Sequence, residues 1–253
     1  MLSYSTQNLG DDIQSLALER LLPRVDLRVD RDDVTPAVTW GEDVRWIING
    51  WHAAGIHRLW PPQTSARCLF VGFHATGKEV LPPATRLPIG CRDPWTFELC
   101  TRQGLDAWIS WCATLTFQQP AVTRGDEVLL VDLPPHDVAR LPPEIAERGI
   151  SLSHNLPPDV DRAALAAARI DRYARAQWVV TNRLHALLPC AALGTPVVFV
   201  QPHYSENRYR GYLHLAWRID NAPWKCPRPR LDPEVVQSLA LPLRHAVQSF
   251  IES

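Results

Sequence analysis

The sequence predicts an α/β protein built from parallel strand–helix units, and three observations carry that expectation. Short apolar runs, several rich in β-branched residues, recur along the chain; helical stretches separate some of them; and most runs end at polar or glycine-containing turns. An all-β sandwich would show neither the helical stretches nor this spacing. A chain of 253 residues is long enough for one large or two small cores, since single domains usually run to roughly 100–200 residues, and two lobes are expected.

Strands are expected at Val44 to Asn49, Arg67 to Phe73, Arg86 to Cys91 and Leu105 to Ser110, then at Val128 to Leu133, Gly149 to Ser153, Trp178 to Thr181 and Pro196 to Val200. Helices are expected at Asp12 to Leu22, Trp95 to Gln103, Asp161 to Ala176, Leu184 to Leu193 and Pro233 to Glu252. In the third helix Ala163, Ala167, Ile170 and Ala174 repeat at helical spacing, with Arg162, Arg169 and Arg172 off that face. Pro242 is expected to bend or split the last helix. The polar, turn-forming stretch from Gln118 to Asp126 divides an amino-terminal lobe, 1–120, from a carboxy-terminal lobe, 125–253. The proline-rich stretch from Pro223 to Pro233 reads as a crossover or extended arm.

A formal net charge of −1 argues against a general nucleic-acid or anionic-membrane surface, so any anionic ligand must be met by a local site. The amino terminus lacks a basic segment followed by an apolar core, and no apolar run approaches the roughly 18 residues of a membrane span. A cytoplasmic protein is the expectation. The 6 cysteines form no C-x-x-C pair and mostly sit among apolar neighbours, as reduced core residues do. No two glycines are spaced as G-x-x-G, which excludes the dinucleotide fingerprint. No Cys/His/Asp cluster has metal-ligand spacing, so no metal is expected.

The chemistry is expected at strand-to-helix junctions, because ligands of open α/β sheets bind at the carboxyl ends of strands. In Trp178-Val-Val-Thr-Asn-Arg-Leu-His-Ala186 a strand turns into a helix with Arg183 and His185 at the junction. Thr181 or Asn182 could cap the helix, whose first N–H groups and positive dipole end favour phosphate or carboxylate. Arg183 adds a planar charged fork, and His185 titrates near neutrality. The alternative is that Arg183 pairs with a buried acid and His185 is a core histidine. At Cys91-Arg-Asp-Pro-Trp-Thr96 a second junction offers Arg92, with Asp93 as cap and Pro94 at the first helical position; alternatively Arg92 and Asp93 simply fix the turn. At Asn8-Leu-Gly-Asp-Asp12, Asp11 would cap a helix and leave Asp12 to orient sugar hydroxyls or accept a proton. Glu206, Asn207 and Arg208 follow the strand Pro196 to Val200, and His154 follows the strand ending at Ser153.

Taken together these segments resemble the polysaccharide pyruvyltransferase family. The matching residues are N-x-G-D at Asn8 to Asp11, R-D-x-x-T at Arg92 to Thr96, T-x-R-L-H-A at Thr181 to Ala186, G-T-P-V at Gly194 to Val197 and E-N-R at Glu206 to Arg208. The resemblance implies two Rossmann-like lobes in a GT-B-like arrangement, with phosphoenolpyruvate bound in a cleft between them. It also implies that Arg183, His185 and Arg92 line the donor site. Substrate contacts are expected around them from Asp11, Asp12, His154, Asn182, Leu184, Glu206, Asn207 and Arg208. The chain departs from the family in its Asp11-Asp12 doublet and in Trp111, where a small glycine is usual.

The expected reaction transfers the enolpyruvyl group of phosphoenolpyruvate to a sugar diol, giving a pyruvate ketal and phosphate. Phosphoenolpyruvate is a donor substrate, and no cofactor is expected; the partners are this donor and a carbohydrate acceptor. Two other classes fit the sequence: a GT-B-type glycosyltransferase using a nucleotide-sugar, and a non-catalytic glycan-binding relative that has kept the fold.

Overall fold

The computed structural model describes residues 1–52, 63–78, 81–83, 88–157, 159–200, 206–209, 211–218 and 232–253. The chain is α/β with parallel sheets, and its contacts divide it into two compact units. The first comprises Met1–Thr6, Gln14–Thr116 and Ser238–Ser253; the second comprises Gln7–Ile13 and Phe117–Gln237. The sequence expectation kept 125–253 together, whereas Ser238–Ser253 groups with the first unit.

In the first unit, β1 (Leu2–Ser3) pairs in parallel with β2 (Val29–Asp30). A separate four-stranded parallel sheet follows chain order, from β3 (Arg45–Trp51) through β4 (Arg67–His74) and β5 (Ile89–Cys91) to β6 (Ala107–Ile109). Trp46, Ile48, Phe70, Phe73, Ile89 and Cys91 form its core, with Trp40 edge-on to Trp46 at 5.2 Å. Gly90 is required by close approach, since a Cβ there would lie 2.5 Å from the Phe70 carbonyl oxygen. Between the last two strands runs α2 (Pro94–Arg102), capped as expected: the Asp93 carboxylate accepts from the Thr96 N–H, and Pro94 occupies the first turn.

The second unit holds a five-stranded parallel sheet formed by β7 (Val128–Val131), β8 (Gly149–Leu152), β9 (Trp178–Thr181), β10 (Val197–Phe199) and β11 (Trp217–Arg218). Its order in space is β8-β7-β9-β10-β11. Counted within the unit this is 2-1-3-4-5, a doubly wound order whose direction reverses between β7 and β9. Every residue of β7 and β10 is buried, as expected of a parallel sheet covered on both faces.

Short helices α3 (Pro135–Val138) and α4 (Pro143–Ala146) lie between β7 and β8 in the chain. The longer α5 (Arg162–Arg175) precedes β9, and α6 (Leu184–Ala192) follows it. Arg124 ties the ends of these two helices together, donating to the Ala174 and Leu193 carbonyls and to Thr195 Oγ1. The buried face of α5 is Ala166, Ile170, Tyr173 and Ala174; Ala163 and Ala167, expected on that face, are exposed. The 4-residue α7 (Glu206–Tyr209) replaces the expected E-N-R turn.

Two helices contribute to both units. The first, α1 (Leu9–Glu19), begins earlier than expected, so Asp11 lies in its first turn and does not cap it. Asn8 stands before the helix, and its Oδ1 accepts from the Gly10 N–H at 3.1 Å. The last, α8 (Pro233–Glu252), passes through Pro242 as one helix and is not split there. The strand expected from Arg86 starts at Ile89, with 84–87 outside the described residues, as is most of the stretch from Pro223 to Pro233. Among the described residues no helix is long and apolar enough to cross a membrane.

Candidate functional site

In the second unit the carboxyl ends of β7 and β9 lie side by side, with Val131 in register with Thr181. The chain leaves β7 at Asp132, whose φ of 52° is uncommon for a residue with a side chain. From there the Asp132 carboxylate gathers three donors. Ser153 Oγ donates to Oδ1 at 2.7 Å, while the His154 N–H at 3.0 Å and Arg183 Nε at 2.9 Å both donate to Oδ2. Burial alone would raise the Asp132 carboxyl, but the Ser153 and His154 hydrogen bonds and the Arg183 charge outweigh it and hold it below its ordinary range.

Arg183 is therefore aimed, and it stands at the N-cap position of α6. The expected Thr181 or Asn182 cap is not made: Thr181 Oγ1 accepts from the Arg183 N–H at 2.9 Å, one step before the helix. A second contact of the guanidinium, Nη2 to Asn155 Oδ1, is 3.3 Å long. A guanidinium has five N–H donors, so two committed to protein leave three for a ligand.

His185 follows in the first turn of α6 and is buried, with φ −86° and ψ 19° outside the helical range. Pro189 explains the departure. Four residues on, it lacks the N–H that would bond the His185 carbonyl, and its ring crowds that carbonyl. Gly10 packs over His185, where a Cβ would lie 3.0 Å from Nδ1. The approach is held by the Leu9 N–H donating to the His154 carbonyl at 2.8 Å and by the Leu156 N–H donating to the Gln7 carbonyl.

The result is a recess of about 60 Å³ lined by Asn182, Arg183, Leu184, His185, His154 and Arg208, together with Asn8, Gly10 and Tyr209. Such a volume is far below the roughly 300–1,000 Å³ of pockets for drug-sized ligands, so it suits a phosphate- or carboxylate-sized group. A helix start, an oriented arginine and two histidines line it, a combination matched to an anion. His154 is a buried neutral histidine. Burial pushes its pKa down to about 3, and its Nε2 lies 2.7 Å from the Tyr173 hydroxyl.

Asp12 is engaged elsewhere, in a two-point ion pair with Arg162: Nε to Oδ1 at 3.0 Å and Nη2 to Oδ2 at 2.7 Å. Asp11 is buried in the first turn of α1. Asn207 is exposed on α7, which Glu206 opens. Arg92 belongs to the first unit, fully buried just past β5, with Nε 3.7 Å from Asp93 Oδ2.

A larger cavity of about 360 Å³ in the first unit is lined by Met1, Leu22, Trp40, Val44, Arg45 and Phe250 among others. It lies at the amino end of β3, and ligands of parallel sheets bind at the opposite, carboxyl end. Among the described residues no group of three or more His, Cys, Asp or Glu side chains could hold a metal ion.

Fold and site define a Rossmann-like α/β chain with a small anion-matched recess at a topological switch point. No family model matches the chain, and no curated protein matches it. Among solved structures it is similar to an uncharacterized protein from Klebsiella pneumoniae subsp. pneumoniae, with 13% identity, a TM-score of 0.56, and 87% of this chain and 92% of that one covered. At that identity the likeness speaks for the fold alone.

Proposed function

We propose that the chain is a phosphoenolpyruvate-dependent ketal pyruvyltransferase acting on a sugar diol. The observation that carries the reading is Arg183, oriented by Asp132 across the switch point at the start of α6 and next in line to the buried His185. Arg183 and the helix start take the phosphate.

The reaction adds a proton to C3 of phosphoenolpyruvate, turning the methylene into a methyl and C2 into an oxocarbenium-like electrophile. One sugar hydroxyl bonds to C2, the C2–O–phosphate bond breaks, and the second hydroxyl closes the ketal. Two hydroxyl protons are released in all, one balancing the new methyl hydrogen and one carried off on phosphate. At the phosphate end His185 delivers that second proton and recovers it from a hydroxyl.

Ligands that bind the folded chain raise its melting temperature, so a thermal-shift titration with phosphoenolpyruvate beside a panel of nucleotide-sugars tests the reading. A shift with phosphoenolpyruvate that disappears in Arg183→Ala is the expected result. A shift with a nucleotide-sugar alone would replace the reading with a glycosyltransferase.

A further inference from the structure

We propose that His154 is a ligand-binding residue of the recess, a neutral imidazole whose Nδ1–H donates to the oxyanion that Arg183 holds, and that the buried Tyr173 fixes the ring in that form. The inference rests on the recess being the phosphate site of the pyruvyltransferase reading and deepens it. Every residue lining the recess, His154 among them, belongs to the second unit.

His154 follows β8 and is fully buried, so each of its polar atoms needs a partner. All but one have it. The N–H donates to Asp132 Oδ2 at 3.0 Å, the carbonyl accepts from the Leu9 N–H at 2.8 Å, and Nε2 lies 2.7 Å from the Tyr173 hydroxyl. Nδ1 is the exception, with no hydrogen-bond partner among the described residues. Leaving a buried polar atom unpaired is costly, and the wall of an anion-matched recess is a place where the cost has a use.

Tyr173 decides which ring nitrogen carries the proton. It stands on the buried face of α5, and the Arg169 guanidinium, a donor only, hydrogen-bonds its oxygen. The hydroxyl keeps its own hydrogen for Nε2, the acceptor 2.7 Å away. The reverse arrangement, with Nε2 donating, would leave both the hydroxyl hydrogen and the Nδ1 lone pair without partners. Burial keeps the ring neutral, with a pKa pushed down to about 3, so when Nε2 accepts, the one ring proton sits on Nδ1. The recess then offers an anion the remaining N–H groups of Arg183, the start of α6 and the Nδ1–H of His154. A ring that stays neutral binds without competing for the proton, and proton transfer is left to His185.

The test is a titration of ¹⁵N-histidine-labelled protein with phosphoenolpyruvate and, separately, with inorganic phosphate, read on the His154 ring nitrogens assigned through that residue's backbone. A ring protonated on Nδ1 and bare on Nε2 is expected before ligand is added, with the Nδ1–H signal moving as ligand saturates. A ring protonated on Nε2, or an Nδ1–H signal unmoved by phosphoenolpyruvate that raises the melting temperature, overturns the proposal and leaves the pyruvyltransferase reading standing. Movement with inorganic phosphate, and neither movement nor a melting shift with phosphoenolpyruvate, keeps the His154 donor and removes the pyruvyltransferase; binding of neither removes both. Two substitutions then separate the ends of the ring. His154→Asn keeps an amide N–H in place of Nδ1 and gives up Tyr173, whereas His154→Gln reaches Tyr173 and has no counterpart of Nδ1. The asparagine variant is expected to bind phosphoenolpyruvate within a few-fold of wild type and the glutamine variant roughly ten- to a hundredfold more weakly, the range for a hydrogen bond to a charged group. A histidine with a structural role alone would make the two equal or reverse their order, and either result in folded variants overturns the proposal. Tyr173→Phe should let the Nε2–H form of the ring appear; an unchanged ring would overturn the part assigned to Tyr173. Should the variants fail to fold, the wild-type ring signals decide alone.

Discussion

Asp132 and Arg183 stand at the ends of neighbouring strands where the order of the second sheet reverses, and Arg183 Nε donates to Asp132 Oδ2 across that point at 2.9 Å. The pairing leaves Arg183 with donors to spare for the proposed ligand. It spends the Nε donor, together with the long contact to Asn155, and leaves the far end of the guanidinium as the binding edge. On the proposed reading, Asp132→Ala should therefore weaken the melting shift expected with phosphoenolpyruvate, with Arg183 and His185 unchanged. It also leaves the His154 N–H without its acceptor, at a cost of about 1–3 kcal/mol in stability, while the exposed Ser153 hydroxyl turns to water. A full ligand shift in the folded variant would show that Arg183 orients itself without Asp132.

Arg183→Lys tests the fork itself. An ammonium keeps the charge but has neither a second donor edge nor the planar geometry that spans Asp132 and a ligand together. The lysine variant should behave almost as Arg183→Ala, which loses an electrostatic clamp worth about 3 kcal/mol in the transition state. Near-wild-type binding by the lysine chain would mean that charge alone is recognised.

His154 sets a pH dependence of stability. In the unfolded chain a histidine takes up its proton near pH 6.5, whereas burial delays this in the folded chain to about 3. Between those values the unfolded state holds more protons, so stability is present above pH 6.5 and is lost progressively as pH falls through the window, by about 1.4 kcal/mol per unit. Melting temperatures recorded from pH 7 to 4.5 should fall more steeply for wild type than for His154→Gln, which has nothing to titrate. Parallel slopes would mean that the folded chain protonates His154 as readily as the unfolded one.

The local parts of the fold were legible because they are written in local sequence. The strand Trp178–Thr181 and the helix ending at Glu252 fall where periodicity puts them, and the Asp93-Pro94 start of α2 carries its cap in adjacent residues. The start of α1 was misread because Leu9 and Gly10 carry no strong helix signal, and the Asn8 side chain closes the turn from outside the helix. The face of α5 was shifted because a run of alanines offers several helical stripes, and the buried Tyr173 selects one of them. Arg183, Arg92 and His185 were visible as unusual residues at strand-to-helix junctions. Their partners were not. Asp132 closes an ordinary strand 51 positions from Arg183, so only the sheet brings the two together.

Asp12, expected to meet the sugar, is held by Arg162 in a two-point ion pair joining the start of α1 to the start of α5. Burial raises the Asp12 carboxyl even though the Arg162 hydrogen bond and charge pull it down, which marks a pair that is costly to break on one side. Asp12→Asn and Arg162→Gln should each destabilise the chain, and the double variant should lose less than the sum of the two. Additive losses would detach Asp12 from Arg162 and return it to the list of acceptor contacts.

Gly10 tests the packing of α1 over the site. Alanine is the better helix former by about 1 kcal/mol, and on propensity alone Gly10→Ala should stabilise the chain. Its Cβ, however, would meet His185 Nδ1 at 3.0 Å, Asn8 Oδ1 at 3.1 Å and His185 Cβ at 3.2 Å. These separations are tight but not prohibitive, so the imidazole gives way by a few tenths of an ångström while the fold survives. The expected outcome is a melting temperature close to wild type with a clear loss of phosphate release, because proton transfer depends on position far more steeply than stability does. If activity and melting temperature were both retained, the glycine of N-x-G-D would be a helix-start residue only, and His185 would not need to be held where the structure puts it.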